Sequence, residues 1–96
     1  MSGSFHITGR VIERLVRLLD AYPGLGGVGV DAMMSLTQGG DGSQVPAIHV
    51  VAVGEGKRLG EKVACSVTIR DLEPNDAHLA EVAAKIVEEL LLAQTE

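Results

Sequence analysis

The chain has few basic residues and no long apolar run, and each scarcity argues against a class of protein. Its 96 residues carry 8 Lys and Arg against 13 Asp and Glu, which gives a net charge of −5. Nucleic-acid-binding domains usually display a basic stripe, and no apolar run here approaches the roughly 20 residues of a membrane span. We therefore expect no specific nucleic-acid binding and no docking on a membrane.

Cysteine is also scarce. Cys65 is the only one, so no disulfide forms within the chain, and this usage is typical of a reducing compartment. The first residues, Met1 to Phe5, lack the basic and apolar regions of a secretory signal peptide. Together these absences predict a cytoplasmic place of synthesis.

A phosphate-binding loop is suggested by the stretch 54–57 but is not completed by its neighbours. The pattern G-x-x-x-x-G-K-[ST] requires glycine at the position of Val51 and serine or threonine at the position of Arg58. The same stretch has the composition of a hairpin loop. We therefore expect a turn there and no nucleotide.

Residues able to do chemistry are present but scattered. Ser43 lies in a glycine-rich segment without the G-x-S-x-G pattern of a nucleophile elbow. His6, His49 and His78 show no metal-ligand spacing with Cys65. Hence we expect a non-enzymatic protein that carries neither a metal nor another cofactor.

Apolar residues, in contrast, are abundant for so short a chain. They make up 46% of the sequence, and the mean hydropathy is +0.24. A chain of this length buries only about 60–65% of the surface of its unfolded state. Such a high apolar content in a chain that buries so little of its surface favours contacts with partner subunits. A well-packed monomer rich in Ala and Val is the alternative.

Hydrophobic periodicity predicts the order helix, strand, strand, strand, helix. Residues 1–7 are expected to form an arm, and residues 8–96 a single domain. The predicted elements are a helix at 9–21 capped by Thr8, a turn at 23–27, strands at 28–38, 45–53 and 62–70, and a last helix capped by Asn75 or Asp76.

Short connections predict an antiparallel meander, and each helix has one apolar stripe. The fold class is therefore α+β, a two-layer sandwich in which a three-stranded antiparallel sheet carries both helices on one face.

The middle strand, 45–53, has apolar residues on both alternating faces. Two helices on one side can cover only one of these faces, and the sequence does not say which. The other face is expected to form an interface with another chain, unless the arm or a loop folds over it. The residues predicted to make contacts are Met33, Ile48, Val50, Val51, Lys57 and Arg58.

Five segments together resemble a known family: the helix 11–19, the Pro-Gly pair 23–24, the strands 46–51 and 61–69, and the helix 79–87. The pattern resembles the tail-terminator or tail-completion proteins of long-tailed bacteriophages. This resemblance implies a structural subunit of the virion, assembled in the host cytoplasm. It also implies a homo-oligomeric ring, commonly a hexamer, that caps the tail tube and contacts other tail or connector proteins.

A second resemblance indicates an alternative family and function. The segments 7–12 and 23–28 are similar to the first helix and following turn of the small alkaline-shock-type proteins of Gram-positive bacteria. That family implies a cytoplasmic adaptor in the envelope-stress response, acting through protein–protein contacts. Its pattern usually carries a further strand after the last helix, whereas this sequence ends at Glu96.

Overall fold

The order of elements is the predicted one. A computed structural model describes residues 2–22 and 27–95, with side chains described from residue 7 onward. Most of the turn predicted at 23–27 lies outside the described residues. The elements are α1 (Ser2–Asp20), β1 (Gly29–Gln38), β2 (Gln44–Glu55), β3 (Lys62–Ile69) and α2 (Asp76–Thr95).

The three strands form one antiparallel sheet in the order β1-β2-β3. Every residue of β1 has a partner on β2, from Gly29 opposite Val53 to Gln38 opposite Gln44. On its other side β2 pairs with β3, from Ile48 opposite Ile69 to Glu55 opposite Lys62. The predicted meander is therefore confirmed.

Both helices pack on one face of this sheet, as predicted. Helix α1 lies against β1 and α2, whereas α2 lies against β3 and β2. The register decides which strand residues face the helices, because directly opposed residues point to the same face. The core side chains are Val11, Leu15 and Leu19 of α1, Ile48, Val50 and Ala52 of β2, Cys65 and Ile69 of β3, and Leu79, Val82, Ala83, Ile86, Val87 and Leu90 of α2.

The first helix begins earlier than predicted. It starts at Ser2, so the predicted arm is wrong over residues 2–7, and the capping role of Thr8 is wrong because Thr8 lies inside the helix. The apolar stripe explains the difference, because Ile7 packs against the core one turn before Val11. Packing of Ile7 against the core outweighs the weak helix propensity of Gly9.

The second helix begins where predicted. The side-chain oxygen of Asn75 accepts a hydrogen bond from the amide of His78 at 2.8 Å. Its carbonyl oxygen accepts the first intrahelical bond, from the amide of Leu79 at 3.0 Å. Asn75 is therefore the N-cap, and Asp76 places a negative charge at the positive end of the helix dipole.

Two exposed glycines give a prediction that isolates backbone conformation. An added Cβ would meet nothing within 4 Å at either Gly9 or Gly60, but Gly60 has a φ of +83°. We expect Gly9→Ala to raise the free energy of unfolding by about 0.5–1 kcal/mol, because alanine favours the helix. Gly60→Ala should lower it by about 1–2 kcal/mol, because a side chain is strained at that φ.

Chemical denaturation of the two variants beside the wild type measures both effects. Equal changes of the same sign would contradict the helical assignment of Gly9 and the left-handed conformation of Gly60.

Candidate interaction surface

The face of the sheet turned away from the helices, hereafter the open face, contains the uncovered apolar stripe. The register places the odd-numbered residues of β1 and β2 and the even-numbered residues of β3 on it. Met33 and Val53 remain exposed by 52% and 37%, and Val51 is half-buried between Asp31 and Ser66. Neither helix lies on this side.

The open face is apolar along its middle and polar along both flanks. The β2 stripe runs through Val45, Ala47, Val51 and Val53, interrupted by His49. Val53 is the exposed member, Val45 and Val51 are half-buried, and Ala47 has no exposed surface. Met33 adds an apolar side chain on β1, opposite His49. The other flanking positions are filled mainly by small polar or charged residues, namely Asp31, Ser35, Thr37, Lys62, Ser66 and Thr68.

The residues predicted to make contacts fall into three groups. Met33 and Val51 lie on the open face. Ile48 and Val50 have no exposed surface, because the register turns them towards the helices, where they belong to the core. The expectation that these two contact a partner is therefore corrected: they hold the helices on the sheet.

Lys57 and Arg58 form the third group and lie on the loop between β2 and β3. The loop is closed by the amide of Gly56 donating to the carbonyl of Glu61 at 2.8 Å, and by the amide of Glu61 donating to the carbonyl of Arg58 at 3.0 Å. Leu59 stands at its tip, fully exposed. Sequence reasoning missed Leu59, although a leucine between an arginine and a glycine in a predicted loop is a signal of an exposed apolar residue.

The hairpin between β1 and β2 has a structural explanation for its polar residues. The carboxylate of Asp41 accepts hydrogen bonds from the hydroxyl of Ser43 at 2.5 Å and from its amide at 3.0 Å. The hydroxyl bond, followed by the amide bond, lowers the pKa of Asp41 below its usual value. Ser43 and Asp41 together thus organise the turn of this hairpin.

A cleft of about 520 Å³ lies between α1 and the segment that precedes α2. Arg14 crosses it, donating to the carbonyl of Pro74 at 3.2 Å and to the carboxylate of Asp76. Arg10, one helical turn earlier, and Glu73 line the same cleft. The cleft therefore reads as a polar junction that ties α1 to the start of α2.

The remaining chemical groups do not converge. Within residues 2–22 and 27–95, no cluster of His, Cys, Asp and Glu has the arrangement needed to hold a metal ion. No helix in the same part of the chain is both long and apolar enough to cross a membrane. Among the described residues, the surfaces open to a partner include the cleft beside Arg14, the apolar sheet face and the exposed loop.

Comparison with known proteins adds no assignment: no family model, no curated protein sequence and no solved structure matches this chain.

The buried thiol gives a prediction about reactivity. Burial, and secondarily the negative charge of Glu89, raises the pKa of Cys65 above its usual value. We expect the folded protein at pH 8 to react with a disulfide reagent at least about tenfold more slowly than the guanidinium-unfolded chain. Equal rates would show that Cys65 is accessible.

The same shift predicts a pH dependence of stability. Because the folded-state pKa is raised, the contribution of the protonated thiol is fully present below the usual thiol pKa and is lost as the pH rises through the folded-state pKa. Denaturation of wild type and Cys65→Ala across alkaline pH separates this contribution from that of other groups.

Proposed function

We propose that this chain is a non-enzymatic structural subunit that assembles with copies of itself through the open face. The observation that carries the proposal is the apolar stripe of β2 on the sheet face that neither helix covers, where Val53 and the neighbouring Met33 are exposed and Val51 is half-buried. Burying such a stripe against a partner stabilises the complex by roughly 25 cal/mol for each Å² of apolar surface removed from water. A polar rim around an apolar centre is the usual arrangement of a protein interface.

The size of the open face limits what it can do alone. Three strands spaced by about 4.8 Å, with about ten residues rising about 3.3 Å each, present about 500 Å². A stable interface usually buries about 800 Å² on each partner. The proposed assembly therefore uses the open face together with a further contact surface, as a subunit of a closed ring does with its two neighbours.

The particular assembly we propose is a ring of six copies at the head-proximal end of a phage tail tube. Its support is the resemblance of the sequence to tail-terminator proteins, and the self-assembly expected of the open face agrees with it. In this proposal the ring binds other tail or connector proteins within the virion. The solution mass by light scattering, followed by negative-stain imaging, tests this proposal. Rings of about six copies would support it. A monomer or an open complex with another protein would favour the alkaline-shock-type alternative.

A pair of substitutions tests the open face directly. Val51→Asp places a charge in the middle of the stripe, and burying it unpaired between two copies is costly. We expect the Val51→Asp variant to stay folded, because Val51 is only half-buried. Its self-association should weaken at least about tenfold. Val50→Asp, one residue away but without exposed surface, should instead unfold the domain.

Light scattering measures association, and circular dichroism establishes whether each variant is folded. Ala77→Asp serves as the matched control, since it adds the same charge on an exposed position of α2. Wild-type association in a folded Val51→Asp variant would overturn the proposed use of the open face.

A further inference from the structure

The outer edge of β1 is an open sheet edge, because β2 is the only strand paired with β1 among the described residues. Just beyond β1, the amide of Gly39 donates to the carbonyl of Ser43 at 2.6 Å, which makes these two residues a hydrogen-bonded pair of the β1–β2 ladder. Bonded and unbonded pairs alternate along antiparallel strands. The odd-numbered residues of β1 therefore bond to β2, and the even-numbered residues turn their amide and carbonyl groups to the free edge.

Two of these edge groups have partners within β1 itself. The amide of Ala32 donates to the carboxylate of Asp31 at 2.9 Å, which agrees with an amide that points away from β2. The hydroxyl of Ser35 lies 3.5 Å from the carbonyl of Leu36. Both contacts are exposed and join neighbours in sequence, so a second strand can replace them without opening the fold.

The helices leave the β1 edge more open than the β3 edge. The inward side chains of Cys65 and Ile69 on β3 are buried where α2 packs. The inward side chains of β1 are only half-buried between Val30 and Met34, and Leu36 is 61% exposed. Helix α1 therefore covers only part of β1 and leaves its outer side accessible.

Strand β1 also lacks the residues that usually keep edge strands apart. Lysine, other charged residues and proline are the common protection of such an edge. Between Val28 and Gln38 the only charged residue is Asp31, and there is no proline. Strand β3 is instead bounded by Lys62 and Arg70, so β1 is the edge better suited to pair with another strand.

The flank of α1 beside this edge is apolar. Ile12 and Val16 are half-buried and lie on the side of the helix opposite Arg14, which bonds to the segment at the start of α2. The charged residues next to this flank are Glu13 and Asp20, both exposed. Glu13 accepts a hydrogen bond from Arg17 at 2.8 Å. The flank thus continues the apolar surface of the edge into the helix layer.

We propose that β1 of one copy of this chain pairs antiparallel with β1 of a second copy, across a two-fold axis at Met33. This register uses the whole strand and sets Asp31 opposite Ser35 of the second copy, so that a carboxylate meets a hydroxyl donor. A register centred on Asp31 would instead oppose two carboxylates. The contact goes beyond the proposed use of the open face, does not depend on it, and supplies the further surface that a larger assembly needs.

The same register satisfies backbone groups and covers exposed apolar ones. Ala32 lies opposite Met34 of the second copy, and the two residues exchange both backbone hydrogen bonds. Leu36 lies opposite Val30 on the helix side of the sheet, and the two Met33 side chains meet on the other side. Pairing therefore removes from water the two most exposed apolar side chains of β1, Met33 and Leu36.

A charge at the seam tests the pairing in a chain whose open face is already disabled by Val51→Asp. We expect that chain to remain a dimer through β1. Adding Leu36→Asp should keep the fold, since Leu36 is 61% exposed, and weaken the dimer at least about tenfold because the carboxylate is buried unpaired against Val30. Leu92→Asp is the matched control: it makes the same change on α2 at a site 52% exposed, and the dimer should persist.

A proline tests the backbone part of the contact. Ala32→Pro removes an amide that points to the free edge and makes no bond to β2, so the fold should tolerate it. Each copy then loses one hydrogen bond to the other, and we expect a dimer at least about tenfold weaker. Light scattering gives the masses, and circular dichroism establishes that each variant is folded.

Cysteine crosslinking tests the register without relying on either substitution. In a Cys65→Ala chain, Met33→Cys places two thiols directly opposite each other, at a Cα separation of about 4.5 Å, which a disulfide can span. Ser35→Cys is the control, because the two copies of that residue are offset by four positions, about 14 Å along the strands. Under a mild oxidant the first variant should form covalent dimers and the second should not.

The outcomes separate this inference from the proposed function. A wild-type chain that stays monomeric across micromolar concentrations overturns both. An assembled wild type whose folded Val51→Asp variant is monomeric overturns only the β1 pairing. A Val51→Asp dimer that survives Leu36→Asp and Ala32→Pro, or equal crosslinking through residues 33 and 35, also overturns the β1 pairing.

Discussion

The antiparallel pairing of β2 with a neighbour on each side is the constraint on which the rest of the structure depends. It fixes Ile48, Val50 and Ala52 on the same face as the inward residues of β1 and β3. The two helices close over that face and bury its centre completely. The same pairing necessarily turns the remaining apolar residues of β2 to the opposite side, because side chains alternate along a strand.

Much of the fold could be predicted from hydrophobic periodicity, because apolar residues recur every 3–4 positions in the helices and every second position in the half-buried strands. The inward residues of α2 recur at helical spacing, and the cap at Asn75 has its own hydrogen-bond chemistry. The start of α1 could not be predicted in the same way. Thr8 is a good capping residue and Gly9 a poor helix former, so local preference indicates a start there, whereas the packing of Ile7 against the core extends the helix.

The surface was only half predictable, for a reason that lies in β2 itself. A strand with apolar residues at nearly every position gives no sign of which set faces inward, so both Val50 and Val51 were candidates. Only the register with two alternating neighbours resolves them. Leu59 illustrates a different limit: its exposure depends on how the loop at 56–61 closes, which is a matter of backbone hydrogen bonds and of the positive φ at Gly60.

The distribution of apolar side chains argues for assembly more strongly than their number does. If 46% apolar content only served a tight monomer, the large side chains would concentrate under the helices. Many large side chains do lie under the helices, but Met33 and Val53 stay exposed on the open face, and Leu36, Leu59, Leu91 and Leu92 are exposed elsewhere. The open face, at about 500 Å², is smaller than the area of about 800 Å² that a stable interface usually buries on each partner. In the proposed ring, the open face would act together with a further contact, and closing the ring would form the last contact without the entropy cost of another encounter.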